Sequence, residues 1–354
     1  MIKTIALFEL RNGFRRISTY IYFVLFFALG FLTFFVAAGA IPGVDMGLGA
    51  GGKLFANSSY LLYALISGTS FYGLLVVAAV MGNAAYQDFR YNTFSLLFTS
   101  PIAKTQYLVG RFLAANVILL FIFSSIGLAC FAASFMPAVD QGMIGPYQLM
   151  AYLQPYFVAV IPNTFFIGAV FFCVAALSRN LLAVYVSAVV LFVGYLVASI
   201  LSTQLDSKYF AGLIDPFGNF ALEHVTQYWT VAEKNSLSIP VSGLVLVNRL
   251  IWTVSGAVLL ALTFWRFRLS QGGEDRSRLR DFAPDGGSNL DARLPVAEVR
   301  TTSELSLLPK LTWLEFKRIV VSIPFVLIVA CGVGFVIVSF TTMQAMFGTS
   351  VYPV

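Results

Sequence analysis

Tyr20-Ile21-Tyr22-Phe23-Val24-Leu25-Phe26-Phe27-Ala28-Leu29-Gly30-Phe31-Leu32-Thr33-Phe34-Phe35-Val36-Ala37-Ala38-Gly39-Ala40 contains no charged residue. Coiled as an α-helix, a run of this length reaches about 30 Å, the thickness of a bilayer's hydrocarbon core. Six more stretches share the character: Tyr60–Ala84, Tyr107–Phe135, Leu153–Leu177, Leu181–Ser202, Leu244–Phe264 and Ile323–Met343. The short alternating strands of a membrane β-barrel do not occur. The fold class that follows is an all-α integral membrane protein.

Composition agrees. The 354 residues are 59% hydrophobic and 11% charged, whereas a soluble protein is about 45–50% apolar and about 25% charged. Too little polar surface remains to coat a globule, which excludes a soluble enzyme, a disordered chain and a secreted disulfide scaffold. Cys130, Cys173 and Cys331 stand singly within apolar runs, so no zinc or disulfide framework is readable and each reads as a small buried hydrophobe. Arg15 and Arg16 before the first span, and Ala38-Gly39-Ala40 after it, imitate a signal peptide. The apolar run is longer than the usual stretch of about 7–15 residues and six spans follow, so the first helix reads as uncleaved.

Basic residues orient the spans. Of the 22 Lys and Arg, all but Lys53, Lys208, Lys234 and Arg249 fall on the side of the N-terminus, which is therefore expected in the cytoplasm. The net charge of +6 is a topology signal and gives no reason to expect nucleic acid.

Residues 1–19 form an amphipathic helix, with Ile2, Ala6, Leu7, Leu10, Phe14 and Ile17 on one side and Thr4, Glu9, Arg11, Asn12, Arg15 and Arg16 on the other. Ile5 and Phe8 break the pattern. Such a helix is expected to lie in the interface plane as an elbow. Residues 20–265 hold six spans. Residues 266–306 change sharply to charge, Gly and Pro and read as a cytoplasmic linker. Beyond it, Leu311-Thr312-Trp313-Leu314-Glu315-Phe316-Lys317-Arg318 aligns with Ile5-Ala6-Leu7-Phe8-Glu9-Leu10-Arg11-Asn12. Residues 307–354 thus read as the elbow and first span of a second, incomplete unit, with Glu315 and Lys317 standing where Glu9 and Arg11 stand in the first. The natural protein is expected to continue past Val354.

Catalytic signatures are weak. Gly47-Leu48-Gly49-Ala50-Gly51-Gly52-Lys53 satisfies GxxxxGK, but Leu54 replaces the required Ser or Thr and both flanks are spans. His224 is the single histidine and is expected to be hydrogen-bonded or solvent-exposed. No Asp or Glu sits mid-span, which argues against a proton relay. Asn83, Asn116 and Asn163 are expected to bond helix to helix, and Pro155 and Pro162 to kink the fourth span. In the third outer loop, 203–243, Phe217, Phe220, Ala221, His224, Val225, Tyr228 and Val231 follow Asp215-Pro216 at helical spacing.

The inner loop over residues 86–106 is polar at its edges yet carries Phe89, Phe94, Leu96, Leu97 and Phe98, more apolar content than a solvated connector needs. It resembles the coupling-helix region of ABC-2 type exporter permeases. Asp88 with Arg90, the stretch Asn92–Phe98, Ser100-Pro101 and Gly110-Arg111 carry the likeness, with Asp88 where the family usually has Glu. A narrower resemblance joins Asp215-Pro216-Phe217-Gly218, Tyr228-Trp229-Thr230, Glu233-Lys234-Asn235 and Asn248-Arg249-Leu250-Ile251-Trp252 to long bacterial permeases fused to gluzincin aminopeptidase-like domains.

The resemblance implies a six-span permease core in the bacterial inner membrane and transport without catalysis by this chain. It implies no bound cofactor here, ATP and Mg being held by a separate ABC ATPase subunit. It assigns ATPase coupling to Asp88, Arg90, Phe94, Leu97, Phe98, Ser100 and Pro101, and an outer gate to Asp215, Pro216, Tyr228, Trp229 and Arg249. The other expected partners are membrane lipids and a second permease unit, from a homodimer or a longer chain. An ion-coupled secondary transporter and a membrane-embedded enzyme or scaffold are the alternatives.

Overall fold

A computed structural model describes residues 2–40, 54–91, 93, 103–202 and 207–267, with 309, 312–314, 316–317 and 326 beyond them. The stretch Gly47–Lys53, the linker from 268 onward, Glu315 and all of the expected seventh span except Val326 lie outside the described residues.

Every element among the described residues is helical. Helix α1 (Ile2–Arg15) leads into α2 (Ile17–Ala37), and α3 (Ser59–Phe71), α4 (Leu74–Arg90) and α5 (Lys104–Ala133) follow. Helix α6 (Leu149–Pro155) passes through a π turn at Tyr156–Val160 into α7 (Ile161–Ser178), and α8 (Leu181–Ser202) comes next. Three short helices, α9 (Lys208–Ile214), α10 (Asn219–Thr226) and α11 (Val231–Ser236), precede α12 (Gly243–Arg266). Helices α2, α5, α8, α12 and the continuous Leu149–Ser178 unit are long and apolar enough to cross a membrane. With the α3–α4 pair counted as one, there are up to six such spans among the described residues.

Three sequence expectations need correction. The stretch Tyr60–Ala84 is not one straight helix, because α3 and α4 meet at 53° across Tyr72-Gly73. The Ser70 hydroxyl turns back to the Ser67 carbonyl at 2.7 Å, and a Cβ on Gly73 would lie 2.3 Å from the Phe123 ring. Serine and glycine at one turn loosen the backbone ladder, and Phe123 occupies the space this opens. The outer-loop pattern after Pro216 is not one helix either. It breaks at Trp229, and α11 starts afresh on a capping box in which Thr230 and Glu233 bond reciprocally. Those bonds hold the exposed Glu233 carboxyl below its usual range.

The third correction concerns α1. Glu9, assigned to the polar side, is buried together with Gly13, whereas Leu7, assigned to the apolar side, is exposed, as is Phe8. Arg11 and Arg15 stay exposed, and the side that packs along α5 carries Ile5, Glu9 and Gly13, with Ile5 against Gly110 and Gly13 against Ile118. The expected kink in the fourth span takes the form of the π turn between Pro155 and Pro162.

Helix α5 is the axis of the bundle. Leu119, Ile122, Phe123 and Ile126 are almost fully buried, and α1, α2, α4 and α7 lie around them. The α2 seam runs through Phe26 against Phe123 and Gly30 against the backbone of Ile126. Gly30→Val places carbon within 3.1 Å of Ile126 Cα and its carbonyl oxygen, atoms that cannot rotate away. The substitution is expected to cost about 1–3 kcal/mol, read as a lowered unfolding temperature in detergent. Gly68→Ala, which meets nothing within 4 Å, is expected to cost nothing.

Candidate functional site

Two buried polar clusters stand at opposite ends of the bundle. The first is built on Arg111, two turns into α5. Its Nη2 lies 2.7 Å from Asp88 Oδ2 and 3.1 Å from Glu9 Oε1, and its Nη1 donates to the Ala84 carbonyl at 2.9 Å. The three ionised side chains are 5–10% exposed. The Gln87 amide donates to both Glu9 oxygens at 2.8 Å and accepts from Arg16 at 2.8 Å. The Tyr107 hydroxyl donates to Asp88 Oδ2 at 2.5 Å, and the Arg111 guanidinium lies over the Tyr107 ring.

Position gives this cluster its meaning. Asp88 is in the last turn of α4, Tyr107 and Arg111 are in the first turns of α5, and Glu9 comes from α1. The cluster therefore clamps both ends of the loop between α4 and α5 to the N-terminal helix. Thr93 extends the clamp into the loop, its N–H and hydroxyl bonding Asp88 at 3.0 and 3.2 Å. Phe267, just past α12, stacks on Tyr107 and brings a fourth element to the same place.

Beside the cluster lies a cavity of about 1100 Å³ between α1, α2, α4, α5 and the start of α8.

The second cluster lies about 27 Å back along α12. Arg249 Nη1 donates to Asn163 Oδ1 at 2.7 Å, and its Nε and Nη2 donate to Asn248 Oδ1 at 2.9 and 2.5 Å. Asn248 in turn donates to the Gly212 and Asp215 carbonyls, and Asn163 to the Phe217 carbonyl. The Asp215 carboxylate caps α10, accepting from the Phe217 and Phe220 N–H groups. Gly218 closes the turn at φ +77°, and a Cβ there would overlap the Arg249 guanidinium. Phe217 then packs at 4.7 Å on Phe71, the last residue before the α3–α4 bend, and Phe71 also meets Tyr195 and Phe192 of α8.

The same end is fastened by reciprocal amide pairs. Asn57 bonds the backbone of Gly145 in both directions at 2.7 Å, and Gln154 does the same to Ile239 at 2.5 and 3.2 Å.

The sequence-predicted residues divide accordingly. Asp88 and Glu9 join in the first cluster, while Arg90 and Arg11 are exposed. Phe94, Leu97, Phe98, Ser100, Pro101 and Glu315 lie outside the described residues, and Lys317 is exposed. Asp215 and Arg249 join in the second cluster, with the half-buried Pro216 in its turn. Tyr228 is 87% exposed and Trp229 packs against a separate apolar cluster that includes Tyr63, Leu222 and Leu244, so neither joins them. His224, expected to be bonded or exposed, is half-buried beside Tyr209, its Nδ1 without a hydrogen-bond partner among the described residues. Asn163 bonds between helices as expected, but Asn116 bonds within its own helix. Arg16, Gln87 and Tyr107 were missed as members of a site. Gln87 adjoins Asp88, but nothing local in the sequence shows that Glu9 reaches it.

No known family model and no curated protein matches the chain.

Removing one partner from a buried charge cluster costs more than removing all of them. Arg111→Ala leaves two buried carboxylates unpaired and is expected to destabilise by about 3–5 kcal/mol. Glu9→Gln with Asp88→Asn in that background is expected to recover a substantial part, both effects being read from thermal unfolding in detergent.

Proposed function

We propose that this chain is the membrane-embedded subunit of an ATP-driven exporter, with ATP hydrolysed by a separate subunit that docks on the inner loop. The observation that carries this reading is the Glu9–Arg111–Asp88 cluster at the root of that loop. A force applied to the loop reaches α1, α4 and α5 together, because none can leave without stranding a buried charge. Helix α4 passes the displacement to the bend at Gly73, beyond which Phe71 touches α8 and the loop around Phe217. The Arg249 cluster fixes that loop and makes it the gate at the far end. ATP binding drives transport only if the docked subunit favours one of the two arrangements. In this reading the N-terminus is cytoplasmic, and a second permease unit completes the pathway.

An ion-coupled secondary transporter is the second reading. The broken α3–α4 span and the buried carboxylates favour it, since such carriers bind at broken helices with ionisable residues nearby. Its carboxylates would have to release Arg111 to take up an ion. Transport driven by a proton or sodium gradient without ATP would decide for it.

Purification of the full chain from its native membrane is expected to bring along a Walker-motif ATPase. Leu97→Asp in the inner loop is expected to lower that recovery while leaving the unfolding temperature unchanged, and Asn289→Asp is expected to do neither. Recovery of wild-type chain free of any ATPase, with gradient-driven transport intact, would overturn the proposal. Orientation is tested separately. In a background without the native cysteines, Ser236→Cys on the exposed face of α11 is expected to react with an impermeant thiol reagent in intact cells. Reaction only after permeabilisation would invert the topology.

A further inference from the structure

The cavity of about 1100 Å³ beside the Arg111 cluster changes character in the same direction along α4 and α5. On α4 it begins at Arg90 and Gln87 and ends at Val80 and Ala79. On α5 it runs from Arg111 to Ile118, and the Arg16 side chain, from the junction of α1 and α2, reaches the polar end through its bond to Gln87. The α4 wall alone spans about 17 Å. A small soluble anion would need the polar end only, whereas an amphiphile uses both.

Charge sets the sign of the headgroup. Three arginines and two carboxylates line the space. Glu9 and Asp88 are both taken by Arg111, whereas Arg16 forms no ion pair among the described residues and has one bond, to the neutral Gln87 oxygen. Arg16 stands at the polar end with donors to spare, and the exposed Arg90 stands across from it. From this we propose that the cavity binds an anionic phospholipid, its phosphate on Arg16 and an acyl chain against Ala79, Val80 and Ile118. The Gln87 bridge makes the site part of the cluster that clamps the inner loop, so an occupied site adds contacts to that clamp. The proposal does not depend on the partner ATPase and survives if that reading fails.

The test is native mass spectrometry of the full chain released from nanodiscs of equal parts phosphatidylglycerol and phosphatidylcholine. Wild type is expected to retain phosphatidylglycerol in preference to phosphatidylcholine. Arg16→Gln is expected to reduce that preference about ten-fold, the worth of one charge-assisted hydrogen bond, and Arg16→Lys to keep most of it. Ala79→Trp, which fills the apolar end without touching a charge, is expected to reduce retention of both lipids. Equal retention of the two lipids by wild type would overturn the proposal, whether or not the variants fold. So would an unchanged preference in a folded Arg16→Gln chain. Displacement of phosphatidylglycerol by inorganic phosphate alone, with Ala79→Trp behaving as wild type, would show a simple anion site in its place.

Discussion

One guanidinium shared between two buried carboxylates governs this molecule. Arg111 cannot satisfy Glu9 and Asp88 in water-poor surroundings unless α1, α4 and α5 stay together, and among the described residues neither carboxylate has another cation within ion-pair distance. The remaining members act on the same constraint. Gln87 presents its amide to Glu9 and its oxygen to Arg16, so a neutral side chain joins two charged ones. Tyr107 and Thr93 occupy Asp88's other lone pairs. The N-terminal helix is thereby held along α5.

The far end solves a different problem with different chemistry. Arg249 is buried against amide oxygens, and among the described residues no carboxylate pairs with it. An amide oxygen holds a guanidinium less tightly than a carboxylate does. The arrangement fixes the turn at Phe217–Gly218 without creating a tight ion pair that any movement would have to break. Between the two ends lies the α3–α4 bend, with Phe71 on one side and Phe123 packed beneath Gly73. An ion-pair cluster, a bend and an amide-bound arginine follow one another along the bundle.

Much of the architecture was legible because hydropathy is a local property. Helices α2, α5, α7, α8 and α12 all lie where uninterrupted apolar runs placed them. What failed was the assumption that charge faces water. The helical wheel put Glu9 on the solvent side, and only a partner 102 positions later, Arg111, reverses that assignment. Asp88 was singled out through the loop's likeness to a known family, not through its ion pair with Arg111. The bend was hidden because Gly68, Thr69, Ser70 and Gly73 are all tolerated in apolar helices, and Phe123 was needed to show which of them yields. By contrast, the start of α11 was readable in Thr230-Val231-Ala232-Glu233, a capping-box pattern that the longer apolar periodicity overrode. The pairings of Asn57 with Gly145 and Gln154 with Ile239 carry no local signal at all.

The central claim is that α1 and the two ends of the inner loop move as one body while the opposite end moves relative to them. Arg11, Arg90 and Tyr228 are exposed and suit spin labels attached through cysteine. Pulsed electron paramagnetic resonance distances in the chain reconstituted with the proposed ATPase subunit, with and without trapped nucleotide, test the claim directly. The account predicts an unchanged distance between positions 11 and 90 and a changed distance between positions 90 and 228. A nucleotide-dependent change between 11 and 90, with 90 to 228 constant, would contradict it.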